Sequence, residues 1–220
     1  MSTELNYSTY VCAGCMIVVA KELSEADTQD GLDALLYAHT VASLKNSDDS
    51  TVADWAYANK MAVRTLGGTL YSDSHVTIPA TLPDSFTLRE LLPQIVGQAV
   101  PAGALRSLTA SLERLSRQDT ASAPNELLRT HALQHERCIR LQVGVMSEGT
   151  HLIVLTIAFE NGEPVTKSLA TQRFSLEKAN ANLTVSSYQA LVEREDYDLS
   201  RATIISLLEH RRQEQIVTLR

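Results

Sequence analysis

The sequence predicts an α+β fold in which a helical N-terminal half precedes an antiparallel β-sheet. Two observations support this prediction. Apolar residues recur three or four positions apart through most of residues 25–116, the period of an amphipathic helix, whereas from residue 139 they alternate with polar residues, the period of a strand. The chain therefore divides into an acidic helical region (1–118), a linker-like stretch (119–124) and a sheet region (125–220), although the sequence leaves open a single continuous domain.

Composition and charge exclude several classes of protein. With 220 residues, of which 44% are hydrophobic and 20% charged, the chain can bury a core without disulfides or a structural metal. The net charge is −7, and residues 1–83 carry four basic against ten acidic side chains. Because such a surface repels phosphate backbones and anionic membranes, we expect no nucleic-acid partner.

The first apolar stretch, residues 8–22, is compatible with either a strand or a helix. Its most apolar part is about half as long as the ~20 residues that a membrane-spanning helix needs. The charged residue before it is the acidic Glu4, whereas a signal peptide begins with basic residues. We therefore expect a cytoplasmic protein without a stable membrane span. Its three cysteines should then be thiols rather than a disulfide framework: Cys12, Cys15 and Cys138.

Two helices are predicted to form an antiparallel pair. The first spans 25–45 and the second 51–66, and each begins after a Ser or Thr that is followed three residues later by Asp, the pattern of a capping box. Because only a short polar loop joins them, Trp55 should be buried between the two helices. Tyr37, Trp55 and Tyr57 could also line a small-molecule pocket between helices, although such residues more often belong to a core.

The remaining elements complete the predicted fold. A helix that begins after Thr87 is disturbed by Pro93, and a tight turn at 147–150 joins two strands. The other predicted elements are helices over 103–116, 125–135 and 199–212 and strands over 139–145, 151–159, 165–176, 183–192 and 215–219. We expect the apolar C-terminal segment 215–220 to be ordered by pairing with the sheet. If it lies at an edge, it can also pair with a second copy, which favours a homodimer.

The segment HALQHERC, residues 131–138, contains the candidate metal ligands. On a helix, His131 and His135 would project from one face, as two ligands of a zinc enzyme do, and Cys138 could supply a third. The segment lacks the H-E-x-x-H pattern, in which a Glu between the histidines acts as general base. We therefore favour the alternative that the segment is a junction between a helix and a strand, with the histidines at the helix C-terminus.

Cys12 and Cys15 have the C-x-x-C spacing of redox motifs. Redox chemistry requires a lowered thiol pKa, whereas the apolar neighbours of these two cysteines, such as Val11 and Ile17, predict burial and a raised pKa. We expect two buried structural cysteines.

The sequence contains no complete catalytic motif. A G-x-S-x-G nucleophile elbow and Gly-rich phosphate loops are both missing. We therefore expect a non-enzymatic protein, without a cofactor, that binds a protein or a small molecule. Two alternatives stay open: a zinc-dependent enzyme that uses His131 and His135, and a secreted or delivered toxin-like effector whose alternating segment 165–187 inserts into membranes.

Overall fold

The computed structural model describes residues 6–46, 51–71, 76–79, 83–180 and 183–219. The strands are β1 (Tyr7–Cys12), β2 (Cys15–Ala20), β3 (Thr69–Leu70), β4 (Ser85–Phe86), β5 (Leu133–Gln134), β6 (Cys138–Ser147), β7 (His151–Glu160), β8 (Phe174–Ser175), β9 (Thr184–Leu191) and β10 (Ile216–Thr218). The helices are α1 (Glu25–Lys45), α2 (Val52–Thr65), α3 (Leu88–Val96), α4 (Ala102–Arg117), α5 (Ala123–Ala132), α6 (Leu176–Asn180), α7 (Arg194–Leu208) and α8 (Arg211–Glu214).

Within these residues, eight strands form one mixed sheet. Its order is β10–β1–β2–β6–β7–β9–β3, and β5 pairs with the first residues of β6. Strands β2 and β6 run parallel, whereas the other neighbouring strands run antiparallel. Strands β4 and β8 form a separate small ribbon.

The predicted order of a helical half followed by an antiparallel sheet is wrong. Helices and strands interleave, and the chain begins with the hairpin of β1 and β2 inside the sheet. All six residues of β2 are buried, so the stretch shows no alternation that would have distinguished a strand from a helix. Because parallel strands cannot be joined by a tight turn, the helices from α1 to α5 serve as the crossover between β2 and β6.

Helices cover both faces of the sheet and create two hydrophobic cores. Residues from α3, α4 and α5 form one core with alternate residues of the central strands, and residues from α1, α2 and α7 form the other. In β6, for example, Leu141 and Val143 face the first core, whereas Met146 faces the second. Both regions distinguished from the sequence, 1–118 and 125–220, contribute strands to this one sheet.

The predicted pair of N-terminal helices is confirmed. Helix α1 has the predicted bounds, and a complete capping box of Thr51 and Asp54 begins α2. Gly67 has φ +89° just after α2, the left-handed conformation that ends many helices. The predicted loop at 47–50 lies outside the described residues. Trp55 is 0% exposed, as predicted.

The C-terminal segment is ordered, as predicted, up to the last described residue. Strand β10 lies at the edge of the sheet and pairs antiparallel with β1. The predicted helix over 199–212 is two helices, α7 and α8, because Glu209 between them adopts φ +46°. The predicted strand over 165–176 is reduced to β8, whereas the strand over 183–192 is confirmed as β9.

None of the helices in the described part of the chain combines the length and the apolarity that crossing a membrane requires.

Candidate functional site

A cluster of buried polar side chains lies between α2 and the central strands. It consists of Asn59 from α2, Gln142 from β6, Thr156 from β7 and Tyr188 from β9, and we call these four residues the polar cluster. None of the four is more than 4% exposed. The three strand residues share a face because side chains alternate along each strand and neighbouring strands are in register.

Hydrogen bonds connect the members of the polar cluster. The amide nitrogen Nε2 of Gln142 donates to Oδ1 of Asn59 at 3.0 Å and to Oγ1 of Thr156 at 3.2 Å. The phenol of Tyr188 donates to the same Asn59 oxygen at 3.1 Å. Within the described residues, Nδ2 of Asn59 has no partner although it is buried. A buried amide without a partner is costly, so this position is a candidate for contact with a ligand or a water molecule.

Burial keeps the weak acids of this region protonated. It raises the pKa of Tyr188, and the nearby Cys15 thiol contributes to the shift. Burial also raises the pKa of Cys15 to about 12. At neutral pH the phenol and the thiol are therefore neutral hydrogen-bonding groups rather than bases or nucleophiles.

Thr156 and Tyr188 also line a surface cleft between α2 and β9, which we call the α2–β9 cleft. Its volume is about 320 Å³. Ser186 and Ser187 line the β9 side, and Lys60 lies on the α2 side. The remaining described residues that line it are Ala53, Ala56, Tyr57 and Val185. Two residues of the polar cluster, Thr156 and Tyr188, thus form part of the wall of the cleft, and each is at most 4% exposed.

A second group of side chains adjoins the polar cluster along α2 and β6. It consists of His39, Trp55, His131 and Arg140, and we call it the aromatic cluster. Trp55 precedes Asn59 by one helical turn, and Arg140 precedes Gln142 by two residues on the same strand face. The Arg140 guanidinium carbon lies 4.1 Å from the centroid of the Trp55 ring. The rings of His39 and Trp55 meet edge to face with centroids 5.3 Å apart, and the rings of His39 and His131 meet in the same way at 5.5 Å.

The aromatic cluster disfavours additional positive charge. Burial, the neighbouring His131 and the Arg140 cation lower the pKa of His39 to about 3. Burial also lowers the pKa of His131. With the Gln134 amide oriented so that its oxygen faces Arg140, that oxygen accepts from both terminal nitrogens of the guanidinium. His39 is therefore neutral in the folded protein at neutral pH.

We expect acid to destabilise the protein through His39. Its pKa in the fold is lowered from the usual 6.5 to about 3, so the unfolded chain binds more protons between these values and stability falls as the pH falls below 6.5. The loss at pH 5 should be about 2 kcal/mol. Urea unfolding of the protein and of His39→Leu at pH 7 and pH 5 measures it. The variant should lose less stability than the parent, and an equal loss in both would contradict the assignment to His39.

The predicted zinc ligands occupy three different settings. Helix α5 ends at Ala132, so His131 and His135 do not share a helix: His131 contacts His39, and His135 lies exposed in the turn after β5 with φ +48°. Cys138 begins β6. Among the described residues, no three His, Cys, Asp or Glu side chains are grouped so that they could hold a metal ion. The junction between a helix and strands is observed, whereas the zinc site stays a prediction.

The two cysteines of the C-x-x-C segment are buried, as predicted. Cys12 and Cys15 are opposite each other in the antiparallel register of β1 and β2, on either side of the turn, and each is 1% exposed. Burial raises the pKa of both thiols, and the Cys12 thiol donates to the carbonyl of Leu32 at 3.5 Å. Both cysteines belong to the core on the α1 side of the sheet.

Reasoning from the sequence missed the polar cluster and most of the aromatic cluster. The alternation in β6 identifies Arg140 and Gln142 as the polar face of a strand, and such a face is usually exposed to solvent. Here α1 and α2 cover that face, so the polar residues are buried. One signal was present: Trp55 and Asn59 are four residues apart and therefore lie on the same face of a predicted helix. Tyr57, considered as a pocket residue, lines the cleft.

Comparison with known proteins gives no match: no family model, no curated protein and no solved structure resembles this chain significantly.

Proposed function

We propose that this is a non-enzymatic binding protein that takes a small polyhydroxylated ligand, such as a sugar or a polyol, in the α2–β9 cleft. One observation carries the proposal: Thr156 and Tyr188, two hydroxyl residues of the cleft, are held in place by hydrogen bonds to buried amides. Binding groups that are fixed in advance lose little entropy when a ligand is bound.

The directions of the hydrogen bonds define what these hydroxyls can offer. Thr156 accepts from Gln142, which leaves its own proton to be donated to another group. Tyr188 donates its proton to Asn59, which leaves the lone pairs of its oxygen able to accept. Ser186 adds an exposed hydroxyl that can do both. Sugar hydroxyls are both donors and acceptors, so they complement this mixed set.

The size and rim of the cleft also fit a sugar. A volume of about 320 Å³ lies at the small end of ligand pockets, which start at roughly 300 Å³. Tyr57, one of the lining residues, is 66% exposed, so its ring is accessible for packing against the apolar face of a sugar ring. The two alanines on α2 leave room for the ligand to approach the helix.

The proposal of binding rather than catalysis rests on the chemistry of the lining. The described residues that line the α2–β9 cleft include no carboxylate, imidazole or thiol. The raised pKa of Tyr188 keeps its phenol from acting as a base at neutral pH. General acid–base catalysis needs groups that titrate near the working pH, and hydroxyl and amine groups of this kind serve recognition better.

The test is a binding measurement with glucose, ribose, myo-inositol and glycerol as probes. Calorimetry or NMR titration should detect at least one of them, and Thr156→Val and Tyr188→Phe should each weaken its binding by about fivefold, since each removes one neutral hydrogen bond. Tyr10→Phe, which removes a phenol from β1 outside the cleft, should leave binding unchanged. Absence of binding to every probe, or equal binding by all variants, would refute the proposal.

Two further properties belong to this proposal. We infer a cytoplasmic location, which is supported by the two free, buried thiols in β1 and β2. We also infer a homodimer, since β10 lies at the sheet edge and the backbone groups of an edge strand can pair with a second copy.

A further inference from the structure

A second cleft lies at the other end of the sheet, where α4 crosses β1 beside the end of β10. Its volume is about 410 Å³, and we call it the α4–β1 cleft. Two cationic side chains, Lys21 and Arg114, line it together with the hydroxyl residues Ser8 and Thr218. No carboxylate occurs among its described lining residues. This composition contrasts with the net charge of −7 of the whole chain.

Hydrogen bonds fix the base of the cleft. Ser111 of α4 donates to the carbonyl of Ser107 at 2.8 Å, so the 2.7 Å contact between Thr9 and Ser111 is donated by Thr9. Both hydroxyls are therefore satisfied, and both residues are buried. They join α4 to β1 and hold the two walls of the cleft together.

The Arg114 guanidinium is also held in place. Its Nη1 donates to the carbonyl of Leu219 at 3.1 Å, just beyond β10. A guanidinium has five N–H donors, so this bond leaves others to contact a ligand. Arg106, another cation of α4, lies near the cleft. A Cβ atom built on Gly103 would lie 3.9 Å from Nη2 of Arg106 and 3.5 Å from the ring of Tyr7, and Tyr7 lines the cleft.

We propose that the α4–β1 cleft binds the phosphate group of a small soluble ligand. A phosphate monoester carries close to two negative charges and three terminal oxygens at neutral pH, and two cations with flanking hydroxyl donors match this better than they match the single charge of a carboxylate. The fork of Arg114 can bind two phosphate oxygens, and Lys21 adds a compact charge. This site is separate from the α2–β9 cleft and does not depend on the function proposed for it.

The test is an NMR titration of the full-length protein with inorganic phosphate at constant ionic strength, with acetate as the monoanion for comparison. We expect the amide signals of Ser8 and Thr218 to shift with a Kd on the order of 1 mM. Lys21→Met should raise this Kd about tenfold, because it removes a charged hydrogen-bond donor. Lys45→Met changes the net charge equally at the end of α1 and should leave the Kd unchanged.

A second variant separates ligand binding from folding. Arg114→Lys keeps the charge but removes the fork, so it should weaken phosphate binding while the melting temperature stays near that of the parent protein. Three results would overturn the proposal: no shifts at the cleft, equal affinity for acetate and phosphate, or an equal effect of Lys21→Met and Lys45→Met. A fourth result would also overturn the proposal. If the protein cosediments with vesicles that contain phosphatidic acid and Lys21→Met abolishes this cosedimentation, the site binds a membrane lipid rather than a small soluble ligand.

Discussion

Replacing Arg212 by methionine is expected to destabilise the protein by about 3–5 kcal/mol. The reason is Asp33 on α1, which is 1% exposed and is contacted by Arg212 of α8 through two hydrogen bonds. Nε of the guanidinium lies 2.9 Å from Oδ1 of Asp33, and Nη2 lies 2.9 Å from Oδ2. Gln29 donates a third hydrogen bond to Oδ1. Without the arginine, a buried carboxylate would lose its counterion.

Urea unfolding of three variants tests this expectation. Arg211→Met, at the neighbouring position of α8, should change the stability by less than about 0.5 kcal/mol, as most surface substitutions do. In the double variant Asp33→Leu, Arg212→Met no charge is left buried, so it should recover much of the loss, as apolar replacements of buried ion pairs often do. A double variant as unstable as Arg212→Met alone would show that the buried charge is not the cause.

Replacing Trp55 by alanine is expected to cost about 3–5 kcal/mol, the range for truncating a large aromatic residue in a core. The indole is fully buried and meets three different partners: the His39 ring, the Arg140 guanidinium and the hydroxyl of Ser43, to which Nε1 donates at 3.2 Å. Alanine would leave a cavity between α1 and β6. It would also remove the ring that faces the buried cation.

Fluorescence and chemical unfolding test the role of Trp55. Emission from the native protein should be typical of a buried indole, and an emission maximum typical of indole in water would contradict the structure. Ser43→Ala removes only the hydrogen bond and should cost about 1 kcal/mol. If Trp55→Ala costs no more than Ser43→Ala, packing of the indole contributes little to stability.

The parts of the fold that the sequence predicted are those with local signals. The capping residues Ser24 and Thr51 and the left-handed Gly67 act within one turn of their helix, so α1 and α2 could be located from the sequence. The hairpin of β1 and β2 could not be located, because burial on both faces of β2 removes the alternation of a strand. In its turn, the left-handed position is occupied by Ala13, at φ +48°, rather than by the Gly14 that follows it.

The candidate site depends on contacts between distant parts of the chain, which explains why the sequence did not reveal it. Asn59, Gln142 and Tyr188 become neighbours only when α2 packs over the sheet, and no pattern around any one of them indicates the others. Likewise, His131 resembled a metal ligand because of its spacing from His135, but its closest aromatic contact is His39 on α1. The partners of a polar side chain, and therefore its protonation and reactivity, depend on which helix packs against it.

The central position of the β1–β2 hairpin has a consequence for how the protein forms during synthesis. The hairpin leaves the ribosome well before its partner strands, since Cys15 pairs with Gln142 and Val11 with Val217, both of which are made far later. Until then, an apolar ribbon with two unpaired edges would be exposed to other chains and to chaperones. Closing the sheet requires β10, the last of its described strands to be made, so folding should be slow and largely complete only after β10 has left the ribosome.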